Sequence, residues 1–483
     1  MKLLGPTLLI LGAILNILAL FMLVPLALSI TYDSDNQVAF FSSAAITSLV
    51  GILFLLVGKK PRLDYMQPRQ VFLITTVAWT GVSLFSALPF ILIDHPLSIA
   101  DAVFEAVSGV TSTGSSVMAG LDQLPKDILL WRSMLNWIGG VGIIGMAIAV
   151  LPFLRVGGMR LFKTESSDWS DKAMPRAQSL MAMIIYSYIL LSLICCLAFW
   201  LAGMDAFNAI NHAMTTVSTG GFSTSDASFA QFDGLLIHWI AIIFMLAGAF
   251  PFVLFVRLLV NRKWVLFNDT QVRGLLLVVG ITTAVLTAQL IITDQMDPIR
   301  ALTMACFNLV SIITTTGFAS GDYQLWGPLA LVMFFFVTFV GGCSGSTTGG
   351  IKVFRLQIFA GLVKEQIMTA IHPRAIISRR YNNRLISSEI IASSISYMFL
   401  MTACLIVITI ILALTGLDFV TSLTGSATAV MNVGPGLGPV IGPTGNYSSL
   451  SDTAKWALSM GMLLGRLEFL TILVLFTPAF WRA

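Results

Sequence analysis

Thr111-Ser112-Thr113-Gly114 is one of four short glycine-bearing stretches that interrupt an otherwise apolar chain. The others are Val217-Ser218-Thr219-Gly220, Thr314-Thr315-Thr316-Gly317 and Met431-Asn432-Val433-Gly434, so the glycines fall 106, 97 and 117 residues apart. A hydroxyl-rich extended stretch inside a hydrophobic chain needs a reason, because lipid cannot satisfy an exposed backbone. Close packing of helices through small residues would account for one such stretch. Four in register, each following a short helical segment, point instead to a single site assembled from four copies, with backbone carbonyls turned toward something that needs them.

Composition sets the class. The chain has 483 residues, of which 57% are apolar and 10% charged, and its mean hydropathy is +0.90. A soluble domain carries about 25% charged residues, so this is expected to be an all-α polytopic membrane protein. A spanning helix needs about 20 apolar residues. The segments that qualify are roughly 4–30, 38–58, 70–93, 129–154, 178–203, 234–260, 273–293, 326–360 (interrupted), 388–415 and 454–481. The first apolar run follows Met1-Lys2, is about twice the length of a signal-peptide core and holds Pro25, which favours an uncleaved helix. Cys195, Cys196, Cys306, Cys343 and Cys404 all lie in apolar stretches and read as small buried hydrophobes. His95, His212, His238 and His372 form no ligand spacing, so no metal site of the His/Cys kind is expected.

Charge gives orientation. Lys59, Lys60, Arg62 and Arg69 follow the second span, Arg155, Arg160, Lys163, Lys172 and Arg176 the fourth, and Arg257, Arg262, Lys263 and Arg273 the sixth. Lys352, Arg355, Lys364, Arg374, Arg379, Arg380 and Arg384 surround the end of the eighth. The alternate loops carry mainly acids: Asp33, Asp35, Asp94, Asp122, Asp226, Asp233, Asp294 and Asp322. The positive-inside rule then places both termini and the basic loops in the cytoplasm. Topology explains these basic loops better than nucleic acid does, and no nucleic-acid partner is expected.

An N-terminal two-helix hairpin (1–68) precedes four repeats, at 69–156, 177–262, 271–366 and 386–483. Each repeat reads as a spanning helix, a short amphipathic stretch, the glycine-bearing loop and a second spanning helix. The short stretches, 101–110, 205–216, 297–313 and 418–430, are too short to cross and return, so they read as half-helices opened by Asp101, Asp205, Asp297 and Asp418. Nine residues before each glycine stand Glu105, Asn211, Asn308 and Gly425, the first three polar and in register. By the charge argument all four half-helices enter from outside. Their C-termini would aim partial negative charge at the membrane centre, and the carbonyls and hydroxyls that follow are hard ligands suited to an alkali cation.

On these features the chain resembles the Trk/Ktr/HKT cation-transporter superfamily. Its TrkH/TrkG branch is approached most closely by VSGVTSTGSS (107–116), LAGMDAFNAI (201–210), STGGFST (218–224), GGCSGSTTGGIKVFR (341–355), NVGPGLG (432–438) and GRLEFLTILVLFTPAFWR (465–482). The resemblance implies a potassium selectivity filter at Gly114, Gly220, Gly317 and Gly434 with the three residues before each. It implies K⁺ as the transported ion, with Rb⁺ accepted and Na⁺ disfavoured, in a bacterial inner membrane. It further implies a homodimer with one pore per protomer, and a cytosolic regulatory subunit of the RCK type (TrkA) that carries the NAD, ATP and ADP sites. No organic cofactor is expected in this chain. Val217 and Met431 stand where the first and third stretches have Thr, so the fourfold symmetry is expected to be approximate.

The eighth span breaks at Gly341-Gly342-Cys343-Ser344-Gly345-Ser346-Thr347-Thr348-Gly349-Gly350. Irregular backbone at that depth is tolerated only when buried in protein or lining water. A phosphate-binding loop is disfavoured, because Ile351 separates Gly350 from Lys352 and no strand precedes. A packing kink and a mobile gate remain, and the resemblance implies the gate. Arg466 and Glu468 lie in the tenth span, two residues apart and so on different helix faces, and are not expected to pair with each other. Counted along a straight helix from Arg482, Arg466 would sit ~24 Å deep. The resemblance places it beside the gate, where a fixed positive charge opposes cation passage.

No chain of Asp, Glu and His crosses the spans, which favours a channel-like route; a K⁺/H⁺ or K⁺/Na⁺ symporter is the rival on the same fold. An enzyme would need a nucleophile–base or metal constellation, and the sequence offers none. A scaffold would not need four such loops.

Overall fold

The computed structural model describes residues 4–58, 68–149, 173–261, 266–374, 380–381 and 384–482. Lys59, Lys60, Arg62, Arg155, Arg160, Lys163, Lys172, Arg262, Lys263 and Arg379, used above to orient the chain, lie outside the described residues. The regular structure of the described residues is helical apart from an isolated bridge between Val340 and Ile351 and a two-residue antiparallel ladder, β1 (Arg380–Tyr381) with β2 (Arg384–Leu385).

Long apolar runs form seven helices of spanning length among the described residues. α1 (Leu4–Thr31) and α2 (Gln37–Val57) make the N-terminal hairpin. α3 (Pro68–Ser86) continues through the short α4 (Leu88–Leu92) and leads to the first half-helix, α5 (Ile99–Val110). α6 (Lys126–Ala149) returns, and α7 (Ala173–Leu201) leads to α8 (Ala206–Val217). α9 (Leu235–Ala249) and α10 (Phe252–Asn261) return in turn. α11 (Thr270–Thr293), α12 (Pro298–Ile313), α13 (Pro328–Val337) and α14 (Val353–Ile371) make the third repeat. α15 (Ser388–Leu414), α16 (Phe419–Met431), α17 (Asp452–Arg466) and the short α18 (Leu470–Leu473) make the fourth. Large apolar side chains such as Leu56, Ile292 and Leu414 face outward, as a lipid-facing surface requires.

Three of the four opening acids are true N-caps. Asp205, Asp297 and Asp418 accept backbone N–H bonds from Asn208, from Ile299 and Arg300, and from Thr421. In the first repeat Ser98 takes the cap: its hydroxyl oxygen accepts from the Asp101 amide and donates to the Asp101 carboxylate in the first turn. Capping at one end and burial at the other make α5, α8, α12 and α16 stable at only 12 to 16 residues.

Two expected spans are not straight. α9 and α10 meet at 94° and α17 and α18 at 105°. Pro251 has no N–H and stands at the first break, where Phe250 is extended (φ −83, ψ 156). At the second break Glu468 turns left-handed (φ 56). The straight-helix depth for Arg466 therefore does not hold; its depth is set by the end of α17. The eighth span is interrupted at 338–352, whose neck is closed by a parallel bridge between Val340 and Ile351.

Candidate functional site

The same hydrogen bonds carry each half-helix into its glycine stretch, and they set the register. Thr111, Ser112 and Thr113 donate to the carbonyls of Val107, Gly109 and Ser108. Ser218, Thr219 and Gly220 repeat this with Met214, Thr216 and Thr215, and Thr314, Thr315 and Thr316 with Val310, Ile312 and Ser311. Asn432 and Val433 do so with Ala429 and Thr428. The second residue of each set is left-handed: Ser112 (φ 47), Thr219 (φ 51), Thr315 (φ 54) and Asn432 (φ 56). Two residues on stand Gly114 (φ 85), Gly221 (φ 75), Gly317 (φ 87) and Gly434 (φ 109).

In the second repeat, then, the left-handed glycine is Gly221, one residue beyond the Gly220 read from the sequence. The equivalent stretch is Ser218–Gly221. Val217 is the last residue of α8, and a hydroxyl, Ser218, stands at the level of Thr111 and Thr314. Met431 remains the one departure at that level.

The four stretches close into a ring. A Cβ on Gly114 would fall within 3.0 Å of the Gly220 carbonyl oxygen, one on Gly221 of the Thr316 oxygen, one on Gly317 of the Val433 oxygen, and one on Gly434 of the Thr113 oxygen. Each glycine thus abuts the carbonyl of the residue before the next glycine, around all four repeats and back to the first. Real Cβ atoms do not approach so closely, so glycine is required both by its φ and by its neighbour.

Behind the ring, the residue nine before each glycine is Glu105, His212, Asn308 or Gly425. Glu105 accepts from the Ser116 hydroxyl and the Val117 amide. Asn308 binds both the amide and the hydroxyl of Ser320, and His212 Nε2 meets the Ser223 hydroxyl at 3.1 Å. These polar groups pin the chain as it leaves the ring. The sequence pointed to Asn211, which instead donates to Phe207 within its own helix; the one-residue shift hands the role to His212. In the fourth repeat Gly425 makes room for Ile441, and Thr424 holds Leu437 in place of a polar brace. Arg132 of α6 was missed by the sequence reading. It is buried, pairs with Glu105 at 2.7 Å, and donates to the Ser116 hydroxyl and the Ser223 carbonyl. A lone arginine inside the fourth span was the available signal.

The 341–350 loop lies against the other side of the ring. Thr347 Oγ1 lies within hydrogen-bond distance of the Val217 and Gly248 carbonyls and the Thr219 hydroxyl. Gly349 N donates to Thr315 Oγ1 and Gly350 N to the Met431 carbonyl. Cys343 N and Thr347 N bind the carbonyls of Ala249 and Gly248 at the end of α9, and Ser344 N binds Gln271. Ser346 Oγ reaches the Cys343 carbonyl, Gly342 N the Thr348 hydroxyl, and Phe252 N the Gly345 carbonyl. Gly341 N donates to Ile351. Lys352 Nζ caps the loop at the Thr348 and Gly349 carbonyls. The loop touches repeats two, three and four; Arg466 covers the first, with Nη2 2.6 Å from Ser112 Oγ. Nε and Nη1 of this buried arginine have no hydrogen-bond partner. Glu468 does not pair with Arg466, as expected; it binds Arg355 at 2.7 Å, whose guanidinium stacks on Tyr397.

A polytopic chain whose four half-helices end on one closed backbone ring is a pore-loop membrane protein. The family model of TrkH, described as a cation transport protein, matches residues 36–483, and the chain belongs to that family. It is 44% identical to the Trk system potassium uptake protein TrkI of Halomonas elongata, over 99% of this chain and 97% of that one. It is 35% identical to the Trk system potassium uptake protein TrkH of Escherichia coli, over 95% of this chain and 96% of the relative. The crystal structure of the potassium transporter TrkH from Vibrio parahaemolyticus superposes with a TM-score of 0.91 at 31% identity, covering 99% of both chains. These relatives are transport proteins rather than enzymes.

Proposed function

We propose that this chain is a K⁺ uptake pore, also passing Rb⁺, whose selectivity filter is Thr111–Gly114, Ser218–Gly221, Thr314–Gly317 and Met431–Gly434. The observation that carries the reading is the closed ring of glycine-to-carbonyl contacts at the converging C-termini of four half-helices. Four helix ends direct partial negative charge at one axis, and carbonyl oxygens there can replace the hydration shell of a large alkali cation. The 341–350 loop and Arg466 form the gate: together they contact the inner residues of all four stretches. The relatives' names support K⁺ as the ion. The half-helices face outward across the bacterial inner membrane and both termini lie in the cytoplasm. There, a nucleotide-binding regulatory subunit docks on the basic face of a homodimer.

Radiotracer Rb⁺ flux into proteoliposomes containing the purified chain tests this. Flux that follows the K⁺ gradient at any pH, and that excess Na⁺ fails to block, is the expected result. Flux that runs against the K⁺ gradient when a proton or Na⁺ gradient is applied would establish the symporter instead.

A further inference from the structure

The ring is uneven one residue before its glycines, where the four repeats carry Thr113, Gly220, Thr316 and Val433. Thr113 and Thr316 point their hydroxyls back at Thr111 and Thr314, at 2.7 and 2.8 Å, so these side chains back the strand whose carbonyls close the ring. Gly220 has no side chain to do this, although its partner at the lower level, Ser218, still bears a hydroxyl.

That space is taken from another repeat. A Cβ on Gly220 would fall on the carboxamide of Asn136, a residue of α6 in repeat one. Asn136 is fully buried, and neither its side-chain oxygen nor its nitrogen has a hydrogen-bond partner in the protein. It lies one turn beyond Arg132, so α6 contributes two consecutive buried polar groups to the wall between the first and second stretches. We propose that Asn136 is a specificity-determining positioning residue: its carboxamide fills, from the adjacent repeat, the space that a side chain at position 220 would take, and so keeps the Gly220 backbone from retreating from the ring. The proposal rests on the filter reading above.

The test is K⁺/Na⁺ discrimination from reversal potentials in proteoliposomes, at matched incorporation and with monodispersity checked in detergent. Asn136→Ala opens the space beside Gly220; discrimination is expected to fall roughly fivefold as the second stretch relaxes into it, while total Rb⁺ flux persists. Gly220→Thr alone is expected to abolish discrimination through collision with Asn136. Asn136→Gly combined with Gly220→Thr is expected to recover most of it, because the new hydroxyl can reach Ser218 as Thr113 reaches Thr111. Wild-type discrimination in Asn136→Ala overturns the proposal, as does a double variant no better than Gly220→Thr alone. Gly317→Ser separates the two readings. If it lowers discrimination while the Asn136 variants do not, only the role of Asn136 falls; if it too has no effect, the filter assignment falls with it.

Discussion

The carbonyl of Gly434 accepts two hydroxyls, Tyr447 Oη at 2.7 Å and Ser115 Oγ at 2.9 Å. It is therefore held by protein partners from two sides. Tyr447→Phe removes one donor and is expected to cost about 1 kcal/mol, visible as a lowered thermal midpoint and a weaker apparent K⁺ affinity in Rb⁺ uptake. In the first stretch a side chain at Gly114 must displace the Gly220 carbonyl. Gly114→Ser is accordingly expected to shift the reversal potential toward that of Na⁺, and an unchanged potential would remove Gly114 from the filter. At this scale most of the site was legible, because a glycine after hydroxyl-bearing residues is a local signal. The second stretch was not. Gly220-Gly221 offers two adjacent glycines, and only the left-handed turn at Thr219 and the hydrogen bonds from α8 show which of them meets its neighbour.

The element proposed to decide passage is the 341–350 loop. Its hold on the ring depends on few groups, and Thr347 Oγ1 alone meets three oxygens. Thr347→Val is expected to raise Rb⁺ flux several-fold, on the basis of about 1 kcal/mol for each net hydrogen bond lost from the closed arrangement. Arg466→Ala removes a buried cation from beside Ser112 and is expected to raise flux at least tenfold, since unit charges a few ångströms apart interact by several kcal/mol at an effective dielectric near 20. Equal flux to wild type at equal incorporation would show that Arg466 lies off the path. Five glycines in ten residues made the break in the eighth span readable. The 105° turn after Arg466 was not, because no proline marks it. It accompanies tertiary bonds from Arg466 to Ser112 and from Glu468 to Arg355, residues more than a hundred positions apart.

Across the whole molecule, apolar length was enough to locate the spans, since lipid imposes one scale on every crossing helix. It could not show that α9/α10 and α17/α18 bend by 94° and 105°. The fourth repeat is tied to the first by Lys455 and Asp101, 2.6 Å apart, which fastens α17 to α5 where the ring closes on itself. Orientation is testable at the same scale. In a variant without its native cysteines, Asp294→Cys is expected to react with a membrane-impermeant maleimide in intact cells. Lys364→Cys is expected to react only after permeabilisation. The reverse pattern would invert the proposed topology.

Because each corner of the ring is encoded separately, a single base change alters one corner and leaves three. A tetramer of identical subunits has no such option, for every substitution arrives four times over. A pore of the present kind can drift in ion preference by quarter steps, each intermediate still three-quarters intact. The unevenness at Gly220, Val433 and Met431 is what a history of such steps would leave behind.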